Sequence, residues 1–296
     1  MKASELYSPL YKLESLSEYL DIDLWVKRDD LLPLYLGGNK VRKNLKIISS
    51  LNKKYDVLIT NGGSQSNHAR VLALIGAKLG YQVELVLHGE QSALGNAYFY
   101  QIANANTHYV ASDEIAMKIE EVKTEYEQQG KSVFIVPGGG HSLEAVKAYA
   151  EAYSELPFIA DKVILASGTG GTQAGLIKGV LQAGHHTKIF GISVARTKER
   201  GVDAILKLLP ENTHRSVVDF FDDYRFGGYE QYNQKLVDLI KLVLLKESLP
   251  LDTTYTGKAM YGLFEMVKSG AIASKERVVF WHTGGLFNLI TRKNNE

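Results

Sequence analysis

The chain has 296 residues, 45% of them hydrophobic and 23% charged, which is enough for one large core or two modest ones in an ordinary soluble globular protein. Its 34 basic and 33 acidic side chains nearly cancel, so no bulk charge draws it to nucleic acid or to an acidic membrane. There is no cysteine, which excludes disulfides, thiolate metal ligands and cysteine nucleophiles and is compatible with the cytoplasm, the expected compartment. Residues 1–16 carry Lys2, Glu5, Lys12 and Glu14 and lack the apolar core of a secretory leader. No apolar run approaches the ~20 residues needed to span a bilayer.

Along the chain, short β-rich runs alternate with longer amphipathic stretches. A strand at 24–27 precedes a helix at 41–52, a strand at 57–60 precedes a helix at 69–79, and strands follow at 82–87 and 107–110. Next come a helix at 113–129, a strand at 133–136 and a helix at 143–155. The strand at 162–166 leads to a helix at 173–182, and a further strand lies at 188–194. The stretch 208–231 is the least regular, with at most a short strand at 217–221, and its length fits a segment that covers a site. Helices at 232–247 and 258–269 and a strand at 277–281 complete the order. Repeated strand–helix–strand order predicts an α/β protein with open, mostly parallel sheets, whose ligands bind at the carboxyl ends of the strands.

Glycine is concentrated at those ends. Gly168-Thr169-Gly170-Gly171-Thr172 follows the apolar run Val163–Ala166 and precedes a helix. Glycines let several N–H groups converge on an anion, and the helix start adds its positive dipole end. The loop is neither a Walker loop nor Gly-x-Gly-x-x-Gly, and a ligand-free tight turn explains it equally well by itself. Asn61-Gly62-Gly63-Ser64-Gln65-Ser66-Asn67-His68 is more polar than a helix cap requires, although Ser66 and Asn67 are both good caps. His68 alone reads as a hydrogen-bonded structural histidine. Gly138-Gly139-Gly140-His141 is a further glycine-rich turn.

Asn39-Lys40-Val41-Arg42-Lys43 opens a helix with three cations, where the helix dipole disfavours them. Either the helix is a solvated one with poor charge placement or an anion sits beside it. A desolvated lysine there has a lowered pKa and can act as nucleophile or base. Lys43, one turn on, is placed to reach the same anion. Tyr255 in Asp252-Thr253-Thr254-Tyr255-Thr256-Gly257-Lys258 lies just before a helix, although a lone tyrosine is more often packing. His282 in His282-Thr283-Gly284-Gly285 has no second ligand spaced to match, so no metal is expected.

Taken together, Gly37-Gly38-Asn39-Lys40 with Arg42 and Lys43, Gln65-Ser66-Asn67-His68 with Arg70, Gly168–Thr172, Tyr255–Met260 and His282–Gly285 resemble, in order, the 1-aminocyclopropane-1-carboxylate (ACC) deaminase / D-cysteine desulfhydrase family. That family belongs to the tryptophan-synthase-β-like group of pyridoxal-phosphate (PLP) enzymes. The resemblance runs from about residue 24 onward. It implies two α/β domains with PLP in the cleft between them, the larger formed by 1–46 and 157–296 and the smaller by 47–156. It also implies that Lys40 carries the cofactor as a Schiff base, that Lys43 and Gly168, Thr169, Gly170, Gly171 and Thr172 hold the phosphate, and that Asn67 and Thr283 bind the ring. Ser66, Asn67, Gln65 and Thr256 would meet substrate, and Tyr255 and Tyr229 would join Lys40 and Ser66 in catalysis. A homodimer is expected as well.

Deaminases of this family resemble a consensus with glutamate after the site tyrosine and leucine after the late histidine. Here those positions are Thr256 and Thr283, as in the desulfhydrases. A carboxylate near the pyridine nitrogen makes the ring a stronger electron sink, whereas a threonine supplies no charge. The family's Gly-Tyr-Gly is Gly228-Tyr229-Glu230 in this chain. The expected reaction is therefore PLP-dependent α,β-elimination from a small D-amino acid, with D-cysteine giving pyruvate, ammonia and sulfide. The alternatives are ACC deamination to 2-oxobutanoate and ammonia, elimination from D-serine or another 3-substituted alanine, a PLP-binding homologue with little turnover, and an unrelated phosphate-binding α/β protein.

Overall fold

The structure is a computed structural model that describes residues 6–290; Lys2 and Glu5 lie outside the described residues. In chain order, β1 (Leu10–Lys12), α1 (Glu14–Leu20) and β2 (Asp23–Arg28) lead to α2 (Asn39–Ser49). β3 (Val57–Gly63), α3 (Asn67–Leu79), β4 (Gln82–His88), α4 (Asn96–Ile102), β5 (Asn106–Tyr109), α5 (Ile115–Gln128), β6 (Val133–Ile135) and α6 (Leu143–Tyr153) follow. The chain continues with β7 (Lys162–Ser167), α7 (Gly171–Ala183), β8 (Lys188–Ser193), α8 (Lys198–Leu206) and β9 (Asp219–Phe221), and then α9 (Gln234–Glu247), α10 (Thr256–Lys268) and β10 (Arg277–His282).

The strands form two sheets. A six-stranded sheet has the order β1-β2-β10-β7-β8-β9, and a four-stranded sheet has the order β5-β4-β3-β6. β1 pairs antiparallel with β2, and every other described pairing is parallel. Parallel strands read as continuous apolar runs because helices cover both faces of their sheet. In β7, Ile164 and Ala166 enter a core with α1, α9 and α10, while Val163 and Leu165 enter a second core with α6, α7 and α8. In β10, Val278 and Phe280 divide from Val279 and Trp281 in the same way. The smaller sheet repeats the pattern, with Leu58 packed toward α2 and α3 and Val57 and Ile59 packed toward α5.

Each expected strand and helix is present to within a few residues, and the short strand at 217–221 is β9. β1, α1, α4 and α8 are additions to that reading. Among the described residues, no helix is long and apolar enough to cross a membrane.

Candidate active site

The carboxyl ends of β3, β7, β8 and β10 open onto one cavity of about 600 Å³, within the size range usual for small-molecule sites. Its wall includes turns from both sheets.

The turn before α2 is under backbone strain. Tyr35, Leu36, Gly37 and Gly38 all have positive φ, at 50°, 61°, 66° and 94°, and non-glycine residues seldom adopt this conformation. A Cβ at Gly37 would lie 2.1 Å from the Asp30 carbonyl oxygen. Buried Arg70 holds the turn by donating to the Tyr35 and Gly37 carbonyls and to Asn96 Oδ1. Asn39 N then bonds Thr283 O at 2.9 Å, tying the start of α2 to the end of β10.

Lys40 follows directly and lines the cavity. Lys40 Nζ donates to Gly139 O at 3.1 Å, and Lys43 Nζ donates to the same oxygen at 2.7 Å. Burial lowers the Lys40 amine to about 8. Burial, and then the charge of Lys40, hold Lys43 well below its ordinary value. Neither amine has a carboxylate partner among the described residues. Arg42, the third cation of this helix start, faces elsewhere: it is buried against Asp29 at 3.1 Å and Glu155 at 2.5 Å. Ion pairing thus accounts for Arg42, whereas the two lysines remain uncompensated.

At the start of α3, Ser66 Oγ accepts from Ala69 N at 3.2 Å, so it caps the helix while lining the cavity. Asn67 also lines the cavity, and its buried Oδ1 has no hydrogen-bond partner. His68 is buried at the cavity wall and bonds Thr60 Oγ1 at 3.0 Å. Burial, then Lys40 and Lys43, hold it well below its ordinary pKa, so it is neutral.

Gly168, Thr169, Gly170, Gly171 and Thr172 all line the cavity. Gly170 has φ 88° and caps α7 with no side-chain hydrogen bond, and the first turn holds no acid. Free N–H donors at an uncapped helix start form an anion site. A Cβ on Gly171 would come 3.2 Å from Lys43 Nζ, so that amine lies against the first residue of α7. Thr172 Oγ1 accepts from Asn39 Nδ2 at 3.0 Å.

On the remaining wall, the hydroxyls of Tyr229 and Tyr255 are 2.7 Å apart, with their rings edge to face. Thr283, Gly284 and Gly285 lie nearby on the same cavity wall. The irregular segment 208–231 therefore delivers Tyr229 to the site. Burial raises the Tyr229 hydroxyl to about 12 and holds Tyr255 well above its ordinary value. Both remain protonated at neutral pH.

Two residues expected to meet substrate do not line the cavity. Gln65 does not line the cavity: its side chain accepts from Asn96 N at 3.0 Å and donates to Leu94 O at 3.1 Å, fastening α4 to α3. Thr256 is fully buried, and its hydroxyl donates to Asp252 Oδ1 at 2.7 Å and accepts from Asp252 N. Of the two threonines that mark the desulfhydrase pattern, only Thr283 reaches the cavity.

Arg196 was not foreseen. It lines the cavity just beyond β8, and its guanidinium has no hydrogen-bond or ion-pair partner among the described residues. The signal was its place after a strand's carboxyl end, but its turn lacks the glycines that drew attention to the others. His141 lines the same cavity with its Nδ1 buried and unpartnered.

The model of a family described as pyridoxal-phosphate dependent enzymes matches residues 2–284. The chain belongs to this family. Its likeness extends to a protein of Pyrococcus furiosus provisionally named a 1-aminocyclopropane-1-carboxylate deaminase, 35% identical over 94% of this chain and 89% of that protein. A D-cysteine desulfhydrase of Klebsiella pneumoniae is 31% identical over 94% of this chain and 91% of its own length. The crystal structure of an ACC deaminase homologue superposes with a TM-score of 0.88 at 30% identity, covering 98% of this chain and 93% of that one. A threonine deaminase of Solanum lycopersicum shares the fold, with a TM-score of 0.70 at 18% identity.

As a PLP-dependent enzyme, the chain needs a place for a phosphate and a polar ring. Two neighbouring amines without a counter-anion, that of Lys43 buried and that of Lys40 half-buried, the uncapped start of α7 beside one of them, and the unpartnered Asn67 amide oxygen fit such a group.

Proposed function

We propose that this enzyme catalyses α,β-elimination from a small D-amino acid, with D-cysteine yielding pyruvate, ammonia and sulfide. The observation that carries this reading is the presence in one cavity of a desolvated lysine amine and a protonated hydroxyl pair. In this reading Lys40 anchors the cofactor, Lys43 and the Gly168–Thr172 loop hold its phosphate, and Asn67 and Thr283 hold its ring. Residues 47–156 form the smaller of the two units that enclose it.

When bound, the cofactor takes up the electron pair left at the α-carbon. The protein's own groups handle protons and position. Lys40 Nζ is the base for the Cα proton, because its lowered affinity keeps a useful fraction neutral near pH 8. Ser66 accepts the cap bond from Ala69 N and retains its O–H to donate to the substrate carboxylate. Tyr255, paired with Tyr229, is the donor for the departing thiolate. The raised hydroxyl values keep the pair protonated at neutral pH, so it can donate a hydrogen bond to the departing sulfur, although burial also makes it a weaker acid.

The test is release of sulfide and pyruvate by the PLP-loaded protein, with D- and L-cysteine assayed in parallel. D-selective release of both products, lost by several orders of magnitude in Lys40→Ala, is the expected result. Borohydride reduction followed by peptide mapping should place the pyridoxyl label on Lys40. A label elsewhere, or full turnover in Lys40→Ala, would refute the anchor. The relatives at 35% identity favour a second reading, ACC deamination. 2-Oxobutanoate from ACC, with no sulfide from D-cysteine, would establish it instead.

A further inference from the structure

Lys258 and Asp252 are both fully buried, yet neither lines the cavity. Taking an ammonium and a carboxylate out of water is costly, and an apolar residue of similar size fills the same space more favourably. Their contacts indicate what they hold.

Lys258, in the first turn of α10, donates to three carbonyls: Gly228 O at 2.6 Å, Arg225 O at 2.9 Å and Val194 O at 3.3 Å. No carboxylate pairs with it among the described residues. Two of those carbonyls belong to the loop that carries Tyr229. In that loop Phe226, Gly227, Gly228 and Glu230 have φ values of 54°, 94°, 144° and 62°. Such a backbone persists only when its surroundings hold it, and here the ammonium lies among its inward-turned carbonyls.

Asp252 performs the complementary task at the other tyrosine. Its carboxylate accepts from Thr254 N, Tyr255 N and Thr256 N at 3.0, 3.0 and 2.8 Å, and from the Thr256 hydroxyl. Tyr255 thereby sits at φ −120°, ψ −77°, just outside α10. Gly285 passes close to the carboxylate, and a Cβ there would lie 3.1 Å from Asp252 Oδ1.

We propose that Lys258 and Asp252 are positioning residues that set the hydroxyl pair of Tyr229 and Tyr255 in the cavity, the lysine through the 225–228 loop and the aspartate through the start of α10. This rests on the proton-donor reading of the tyrosines given above.

The test is a double-mutant cycle on the PLP-loaded enzyme, read with D-cysteine and with ACC, together with hydrogen exchange over 222–231. Lys258→Met should lower kcat by about a hundredfold, toward the Tyr229→Phe level, with KM and PLP affinity little changed. Adding Lys258→Met to Tyr229→Phe should cost no more than about twofold, because both changes remove one effect. Exchange over 222–231 should quicken in Lys258→Met. Multiplying effects, parental turnover, or unchanged exchange would each overturn the assignment. If Lys258→Met does not fold, Asp252→Asn with Tyr255→Phe gives the same cycle with a shape-preserving change, and the same outcomes decide it. If Tyr229→Phe and Tyr255→Phe both keep parental turnover, the proton-donor reading fails, and the exchange result alone then decides whether Lys258 holds the loop.

Discussion

Lys40 and Lys43 donate to one carbonyl oxygen, and if Lys40 anchors the cofactor as proposed, the burial of its amine governs how the cofactor is captured. An amine attacks an aldehyde only when neutral. With the Lys40 amine lowered from 10.5 to about 8, chiefly by burial, its neutral fraction grows as pH rises to 8 and saturates above it. The rate of PLP capture by apoprotein, followed by absorbance, should therefore rise with pH and level off shortly above 8. A rate still climbing at pH 10 would mean that Lys40 is solvated like a surface lysine. The sequence signalled this lysine because three cations opened one helix. It did not show that Arg42 is answered by Asp29 and Glu155, since those acids come from distant parts of the chain. Arg196 was illegible for a related reason: an unpaired arginine looks like any other until its surroundings are known.

At the scale of the element, α10 shows where one-dimensional reading stops. A residue at a helix start can face the site or the core, and spacing alone does not say which. Tyr255 faces the cavity and Thr256, its neighbour, faces Asp252. Thr256→Glu would therefore put a second carboxylate against a buried one. We expect it to destabilise the protein on the order of 3–5 kcal/mol without gaining deaminase activity. Thr256→Val, which removes only the hydroxyl, should cost about 1–3 kcal/mol. Denaturant unfolding distinguishes them, and a Thr256→Glu variant as stable as the parent would contradict the buried contact. The turns before α2, α3 and α7 were legible because glycine and polar clusters after apolar runs mark strand ends. β1 and α4 were missed because they have only three and seven residues, too few to show a period, and α8 carries Gly201 within nine.

At the scale of the whole molecule, the anion site couples ligand to stability. Whatever binds only the folded chain stabilises it. Inorganic phosphate, added to apoprotein at about ten times its Kd, should contribute roughly 1.4 kcal/mol and raise Tm by about 2–4 °C. Chloride at equal ionic strength should not, and Lys43→Met should abolish the rise. A rise that survives in that variant would place the bound phosphate away from the start of α7. The α/β class with mostly parallel sheets was legible from alternation alone. The strand order was not, because nothing in a strand's own residues says which distant strand it will join.

β10 is the last of the described strands in the chain, yet it lies between β2 and β7 in the larger sheet. On the ribosome, β2 must wait for roughly 250 residues of synthesis before its parallel neighbour exists. The four-stranded sheet closes within 57–135 and has all its strands well before that moment. The nascent chain therefore carries one finished sheet beside strands with open edges, which are templates for wrong pairing. The same late strand ends at the cavity, so translation completes the larger sheet and the cavity wall in one event.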